Sequence, residues 1–359
     1  MIKAWQEEFR CFTLAYSYKT NPLSDVTRLL RSCGAGAEVV SGAELTAALA
    51  DGFTPEQVYF DGPVKLREEL DAAVEAGVSV QADSLQEVQA LADLARRGAS
   101  PRVCLRLAVR RNRWNWSRFG LTPEEMGRAR RLLADAGVRI LGVHFNTGRH
   151  PLDAGPYQAV LRQWREPLRE LHAQITEPLV LDIGGGFPAA SCAPGAKLPP
   201  WSVYAEGVAE ECRSLGLPPD DLHLIIEPGR SLVEDHAVLV ASVAVRKQRR
   251  RRDLVVLDCG TNLVRSINAW HHPVEFVGMD QVPVPYDVYG SMCYESDLFA
   301  RGVSGPAHLG PGDRVLIGAA GGYDIPSANV WVRPRPPVFA VSSSAEGLIV
   351  LREAGVDIR

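Results

Sequence analysis

The segment PLVLDIGGGF, residues 178–187, combines a short apolar run with three consecutive glycines and is followed by Pro188. The run is rich in strand-forming residues, and the glycines and proline end it abruptly. A backbone without side chains lets successive N–H groups approach another molecule closely. The segment therefore predicts a buried strand whose end opens into a bare turn.

Similar apolar runs alternate with helical stretches from residue 12 to about residue 230, a pattern typical of parallel strands joined by crossover helices. The eight predicted strands span residues 12–18, 37–41, 57–62, 78–83, 102–109, 138–146, 178–186 and 222–229. Eight strands with seven crossovers favour a (β/α)8 barrel over an open doubly wound sheet. Functional groups are then expected at the C-terminal ends of the strands.

After residue 231 the pattern changes to β-runs separated by Pro and Gly turns, which predicts an all-β domain. We therefore expect a barrel domain over residues 1–230 and a β domain over residues 231–359. The arginine-rich segment Arg246–Arg252 lies between two apolar runs, and a solvated hairpin tip is favoured there over a polyanion-binding patch.

The composition is that of a soluble globular protein and excludes several classes of partner. A chain of 359 residues with net charge -4 has no general attraction to nucleic acid or anionic lipid. Its seven cysteines include no CxxC pair or zinc-like cluster, so neither disulfides nor a metal are expected. The acidic N-terminus is unlike a signal peptide, and no apolar run could span a bilayer. These features predict a cytoplasmic protein.

Three strand ends carry groups suited to catalysis or ligand binding. Lys19, in LAYSYKTN, is an amine that a barrel mouth can desolvate for attack on an aldehyde. IIEPGR, residues 225–230, supplies a carboxylate, a rigid turn and an arginine able to grip a phosphate with two bonds. With the glycine turn as a phosphate cradle, these are the parts needed to hold pyridoxal 5'-phosphate.

The chain resembles the ornithine, diaminopimelate and arginine decarboxylases of the alanine racemase-like fold, which use that cofactor. The similar segments follow the family order: AYSYKTN, EVVSGAELTAAL, SRFG, GGGF, EPGRSLV, LDCGTNLVR, GSMCYESD and GAAGGYD. The resemblance implies a decarboxylase that removes an α-carboxylate as carbon dioxide and returns a proton to Cα. It also implies a homodimer whose active sites are shared between subunits.

The resemblance further implies a role for each matching position. Lys19 would bind the cofactor's aldehyde carbon, with Glu38 beside it, and Glu227 would pair with the ring nitrogen. Cys293 is the candidate proton donor, because a thiol exchanges protons readily near neutral pH. The alternative role for Cys293 is that of a small buried apolar residue without chemical function. Gly229 would also contact the cofactor, and the phosphate would be held by the following positions: Gly184, Gly185, Gly186, Arg230 and Tyr323.

The sequence departs from the family pattern around the substrate. Asn146 stands where the family has a ring-stacking histidine and Arg149 where it has a serine, while His144 lies two residues earlier on the same strand face. Either His144 or Asn146 is expected to lie against the ring. Tyr294 replaces the acid that follows the cysteine, and Glu295 comes one position later.

Several cations suggest that the substrate has a distal anionic group, although each also fits a solvated loop residue. The expected substrate-binding residues are Arg265, His271, His272, Tyr294, Glu295 and Asp297, with Arg111 and Arg113 as further candidates. Asp297 and Cys293 match positions that reach the neighbouring subunit's site.

The expected function is therefore decarboxylation of an amino acid or amino acid conjugate with a distal carboxylate, in a specialised pathway such as that of a siderophore or another natural product. The first alternative is meso-diaminopimelate decarboxylase of lysine synthesis. A second, from another class, is a catalytically silent homologue that regulates or binds partners.

Overall fold

The computed structural model describes residues 1–110, 112, 115–148, 150–195, 197–249, 252–278, 282–341 and 347–356. The predictions made for Arg111, Arg113, Arg149, Arg250 and Arg251 lie outside these residues. The chain divides into two compact units. The first comprises Met1–Lys19, Ser24–Pro188 and Lys197–Gly229; the second comprises Thr20–Leu23, Ala189–Ala196 and the chain from Arg230 onward. The domain bounds of 1–230 and 231–359 stay a prediction.

The first unit contains a closed barrel of eight parallel strands in chain order, in which the last strand pairs with the first. These strands are β1 (Cys11–Ser17), β2 (Gly36–Val39), β3 (Val58–Phe60), β4 (Ser79–Ala82), β5 (Arg102–Arg106), β6 (Ile140–His144), β7 (Leu179–Asp182) and β8 (Leu222–Ile226). The predicted (β/α)8 barrel is confirmed. Its strands are largely buried, as expected for a parallel sheet covered by helices.

The helices of this unit are α1 (Ile2–Gln6), α2 (Ser24–Ser32), α3 (Gly42–Ala50), α4 (Arg67–Ala76), α5 (Leu85–Arg96), α6 (Pro123–Asp135), α7 (Gly155–Gln163), α8 (Arg165–His172) and α9 (Trp201–Ser214). Capping residues set several of their starts. At α5 the hydroxyl of Ser84 accepts the N–H of Glu87, and at α6 Thr122 and Glu125 form a reciprocal capping box. Among the described helices, none is both long and apolar enough to cross a bilayer.

All eight barrel strands end one to four residues earlier than the sequence predicts. The last four stop at Arg106, His144, Asp182 and Ile226, whereas the apolar runs suggested ends at 109, 146, 186 and 229. The extra residues leave the sheet ladder and form the loops at its C-terminal edge. They include Asn146, the three glycines and Glu227, so most of the predicted site residues of this unit lie just beyond strand ends.

The second unit is mostly β-structure, as predicted. Its elements are α10 (Arg230–Val233), β9 (Leu239–Arg249), β10 (Arg252–Leu257), β11 (Val274–Phe276), β12 (Val284–Tyr289), β13 (Leu298–Gly305), β14 (Arg314–Ile317), α11 (Asp324–Ser327), β15 (Val338–Val341) and β16 (Leu348–Arg352). Six strands form one sheet in the order β11-β14-β9-β10-β12-β13, and β15 pairs with β16. The antiparallel pair β9–β10 flanks the arginine-rich segment. Buried side chains such as Val255, Tyr286 and Ile317 form the core.

Candidate active site

Lys19 is paired with a fully buried carboxylate. It lies in a short 3-10 turn directly after β1, and its Nζ donates to both carboxylate oxygens of Glu38 at 2.6 Å. Glu38 comes from the neighbouring strand β2, where it is in register with Ser17. The Lys19 side chain remains 37% exposed. Burial raises the pKa of Glu38, against the opposing effect of Lys19. The structure thus brings these two predicted residues together and leaves the amine accessible.

The glycine turn after β7 is shaped by close backbone approaches. A Cβ on Gly184 would lie 2.6 Å from the carbonyl oxygen of Phe145, and one on Gly185 would lie 2.3 Å from that of Glu227. Gly184 and Gly186 have φ of 70° and 93°, a region that disfavours other residues. Side chains are therefore excluded here, and the backbone stays bare.

Glu227 is a buried carboxylate without a hydrogen-bond donor. It follows β8, and among the described residues neither of its carboxylate oxygens has a hydrogen-bond partner. The next residue, Pro228, accepts the N–H of Ser17 at 3.3 Å, which ties this turn to β1. Burial raises the pKa of Glu227. A buried carboxylate costs free energy unless it is paired, so this site is suited to a ligand that brings an N–H. Gly229, next in the turn, is also buried.

The two candidates for contact with a cofactor ring have different surroundings. His144 ends β6 and is completely buried, with Nδ1 2.9 Å from Asp61 Oδ1 and Nε2 3.6 Å from Glu227 Oε2. Asn146 is partly exposed and accepts the N–H of Gly148 through its Oδ1 at 2.8 Å. Both nitrogens of His144 thus face carboxylates. Which of the two residues lies against a ring stays a prediction.

Sequence reasoning missed the charged residues around His144. Arg106, at the end of β5, contacts Asp61 at 3.3 Å and Asp83 at 3.0 Å, and all three side chains are buried. Asp182 ends β7 and accepts from Gln81 and from the N–H of Gly184. Each of these charged residues ends or directly follows an observed strand, although the predicted strands included them. A charged residue at a strand's C-terminal end was the available signal.

Ligand-type atoms of Asp61, His144 and Glu227 lie within 4.8 Å of one another, a spacing that could also suit a metal ion. Asp61 is already paired with the Arg106 guanidinium at 3.3 Å, and a fixed cation beside this carboxylate disfavours a metal ion there. This cluster is therefore better described as a chain of paired charges.

The remaining predicted residues belong to the second unit, where Arg230 and Tyr323 surround one indole. The Arg230 guanidinium lies 3.8 Å from the centre of the Trp270 ring, and the Tyr323 ring lies 5.9 Å from it. Arg230 also forms a two-bond ion pair with the completely buried Glu234. Its charge is therefore compensated, a feature that sequence reasoning missed.

The loop around Cys293 is held by Asp297. The Asp297 carboxylate is buried and accepts from the Thr261 N–H at 2.7 Å, the Thr261 hydroxyl at 2.8 Å and the Met292 N–H at 2.6 Å. Cys293 and Glu295 are exposed. In this chain Asp297 is thus a structural residue of the loop, and the geometry gives no support to the predicted substrate contact.

Tyr294, next to Cys293, belongs to an exposed aromatic pair. Its ring is stacked on Trp331 with 5.6 Å between centres, and its hydroxyl lies 2.8 Å from that of Thr261. The two side chains are 37% and 51% exposed. They offer an apolar surface where the sequence comparison expected a carboxylate.

The three cations predicted to bind a distal anion also differ from one another. Arg265 is exposed, whereas His271 lines a cavity of about 420 Å3 together with Asp235 and Glu275. His272 is buried, with Nε2 2.8 Å from the Ser266 hydroxyl and Nδ1 3.0 Å from the Gly318 carbonyl. Both ring nitrogens of His272 are thus engaged within its own unit, and its predicted anion contact has no support from this geometry.

Comparison with known proteins places these features in a family context. The family described as "Pyridoxal-dependent decarboxylase, pyridoxal binding domain" matches residues 1–234. Diaminopimelate decarboxylase of Deinococcus radiodurans is 30% identical, over 98% of this chain and 90% of the relative. That of Methanocaldococcus jannaschii is 28% identical, over 99% of this chain and 85% of the relative. A crystal structure of the M. jannaschii enzyme in co-complex with L-lysine has a TM-score of 0.87 at 27% identity, covering 98% of this chain and 84% of that chain.

Proposed function

The chain belongs to the pyridoxal-dependent decarboxylase family, and from this premise we propose that it removes one α-carboxylate of meso-diaminopimelate to give lysine. The predicted enzyme class, a pyridoxal phosphate-dependent carboxy-lyase, is confirmed by the family match, and so is the predicted cofactor. The curated relatives above are named diaminopimelate decarboxylases. They favour the alternative substrate of the sequence analysis over the specialised conjugate expected first.

The residues of the first unit fit pyridoxal 5'-phosphate. The observation that carries the proposal is the buried Glu227 carboxylate, which has no hydrogen-bond donor among the described residues. A protonated ring nitrogen is the donor that it needs. Lys19 offers the amine for the aldehyde carbon, and the glycine turn offers a phosphate its backbone N–H groups other than that of Gly184, which donates to Asp182. Arg230 and Tyr323 are proposed to assist at the phosphate.

Pyridoxal phosphate, when bound, supplies an electron-withdrawing ring that takes up the electron pair left at Cα as carbon dioxide departs. The chain's own groups direct this chemistry. The Lys19 amine would occupy the cofactor's aldehyde carbon until the substrate amine replaces it. Glu38, 2.6 Å away, would stabilise the charge of the freed ammonium. Glu227 keeps a proton at the ring nitrogen by remaining a carboxylate. Cys293 is proposed to return a proton to Cα from its exposed thiol.

We also propose a homodimer in which Cys293 of one subunit completes the site of the other. The support is that Cys293, Tyr294 and Glu295 are exposed side by side in the single chain, although the family resemblance assigns this segment to an active site. Exposure of catalytic candidates is expected if a partner covers them.

Tyr294 favours a second candidate substrate. A distal ammonium would meet the stacked rings of Tyr294 and Trp331 where the family has a carboxylate. An amino acid conjugate with a distal carboxylate would not need that counter-charge. An amino acid conjugate with a distal carboxylate, the substrate expected from the sequence, is therefore our second proposal. The silent-homologue alternative has less support, because Lys19, Glu227 and Cys293 are all retained.

Carbon dioxide release from purified protein with pyridoxal phosphate tests both substrates. Turnover of meso-diaminopimelate, with lysine as product, is expected, and Lys19→Ala should abolish it. The LL and DD isomers serve as stereochemical controls. If the meso isomer is inert while a carboxylate-bearing conjugate of a diamino acid is decarboxylated, the second candidate replaces the first.

A further inference from the structure

His144 bridges two buried carboxylates. The ring is completely buried, and its Nδ1 and Nε2 face Asp61 at 2.9 Å and Glu227 at 3.6 Å. A neutral imidazole has one N–H and one lone pair, so one of its nitrogens would point a lone pair at a carboxylate oxygen. An imidazolium has an N–H for each. Neither contact has hydrogen-bond geometry, but two carboxylates this close to a completely buried ring favour its positively charged form.

The charges that face His144 come from four other parts of the barrel edge. Asp61 follows β3, Arg106 ends β5, Asp182 ends β7 and Glu227 follows β8. Three of these groups are acids, and the one cation, Arg106, is shared between Asp61 and Asp83. Asp61 is the acid most firmly held in its charged form, because His144 and Arg106 lower its pKa, whereas burial raises the pKa of Asp182 well above its ordinary value. Burial alone would lower the pKa of His144, but Asp61, Glu227 and Asp182 hold it well above its ordinary value.

We propose that His144 is a positioning residue that stays doubly protonated and, held by Asp61, keeps Glu227 in its ionised form. Glu227 needs this support because burial, together with the neighbouring charges of Asp61 and Glu38, favours its neutral acid. A neutral Glu227 could not keep a ring nitrogen protonated. The part of the proposal that concerns the cofactor rests on the proposed function, whereas the charge state of His144 does not.

His223 provides a matched control. It is a partly exposed histidine of β8, and its Nε2 lies 2.8 Å from the Thr13 hydroxyl. Burial and the nearby Arg102 lower the pKa of His223, so its ring is expected to be neutral where that of His144 is charged. The same barrel therefore holds two histidines of opposite expected charge.

Nitrogen-15 NMR of the eight histidine rings in cofactor-free protein tests the charge state directly. One ring should keep the imidazolium signature at about pH 8.5, two units above the ordinary histidine pKa. That signal should be absent from His144→Gln and present in His223→Gln. If no ring of the wild-type protein is doubly protonated there, the proposal is overturned, even if His144→Gln does not fold.

Cofactor binding tests the link to Glu227. His144→Gln should weaken pyridoxal phosphate binding roughly tenfold, and the loss should nearly disappear when Glu227 is already Gln. His223→Gln should leave the affinity unchanged. Equal losses in the wild-type and Glu227→Gln backgrounds would overturn the coupling. Neither measurement uses the substrate, so a wrong substrate assignment would leave both results valid.

Discussion

The ammonium of Lys19 lies 2.6 Å from each carboxylate oxygen of Glu38, and Glu38 is completely buried. An acid this deeply buried is stabilised by its one cationic partner. Covalent attachment of an aldehyde at Lys19 would alter that pair directly. Cofactor binding at Lys19 is therefore expected to change the electrostatic environment of Glu38 as well.

Borohydride reduction of the cofactor-loaded protein should fix pyridoxal phosphate on Lys19 alone among the five lysines of the chain. Lys65 is buried and paired with Glu87, so it is unavailable. Lys19→Ala should lose the visible absorbance, while the exposed Lys197→Ala should keep it. Peptide mapping gives the site, and labelling of a different lysine would contradict the assignment.

Gly184→Ala should destabilise the barrel more than Gly148→Ala. The two glycines have nearly equal φ, 70° and 75°, but a Cβ at Gly184 would meet Phe145 O at 2.6 Å whereas one at Gly148 would meet nothing within 4 Å. Backbone strain of roughly 1 kcal/mol is common to both. Crowding at Gly184 should add roughly 1–3 kcal/mol and weaken cofactor binding. Chemical denaturation measures the free energy of unfolding, and titration measures the affinity for the cofactor. Equal losses in the two variants would contradict the crowding expected at Gly184.

Cys293→Ser should slow amine formation by roughly 100-fold or more, the usual scale for a lost proton donor, without changing the cofactor absorbance. Deuterium incorporated at Cα of the product reports the proton-transfer step. Cys33→Ser is the control, because Cys33 is the other exposed cysteine among the described residues. Unchanged turnover in Cys293→Ser would remove this thiol from the mechanism.

Mixed subunits test the shared site. Lys19→Ala and Cys293→Ala should each be inactive as pure proteins. After co-refolding in equal amounts, about a quarter of the wild-type sites should return, because half of the dimers are mixed and each has one intact site. No recovery, with mixed dimers shown by differential tagging, would mean that each subunit uses its own Cys293.

His144 and His223 should affect stability at opposite ends of the pH range. The pKa of His144 is raised in the folded chain, so its contribution is present below the ordinary histidine value, about 6.5, and is lost as pH rises toward the folded pKa. Between those values the free energy of unfolding should fall by up to about 1.4 kcal/mol per pH unit. His144→Gln should remove this slope.

The pKa of His223 is lowered, so its effect appears on the acid side. There the folded chain binds fewer protons than the unfolded chain, and stability decreases as pH falls below about 6.5. His223→Gln should reduce that loss and leave the alkaline slope in place. Chemical denaturation from about pH 5 to about pH 9 measures both, and identical profiles for the two variants would contradict the assignment.

The sequence predicted the barrel well because its strands are short apolar runs with regular spacing, and strand ends such as Lys19 and Glu227 stood out against them. It did not predict the network of Asp61, Arg106 and His144. Those residues are far apart in the chain. They come together only in the closed barrel, because they lie at the ends of β3, β5 and β6 on the same edge. Local periodicity in the sequence does not predict which distant residues will contact one another.

The site predictions for the second unit rest on residue types, and they stay predictions. The motif match gave residue types, but burial and partners decide what those residues do. Asp297 and His272 look like ligand contacts in the sequence, yet both are engaged within the fold, by Thr261 and Met292 and by Ser266 and Gly318 respectively. Glu234 escaped notice because nothing in the sequence shows that its carboxylate neutralises Arg230.

The pairing of β1 with β8 has a consequence for how the protein is made. Lys19 is synthesised about 200 residues before β8, which precedes Glu227 and aligns with β1. Closing so long a stretch is entropically costly and slow. The nascent polypeptide therefore has no complete vitamin-binding cleft, and capture of the cofactor is expected to be a late event in its biogenesis.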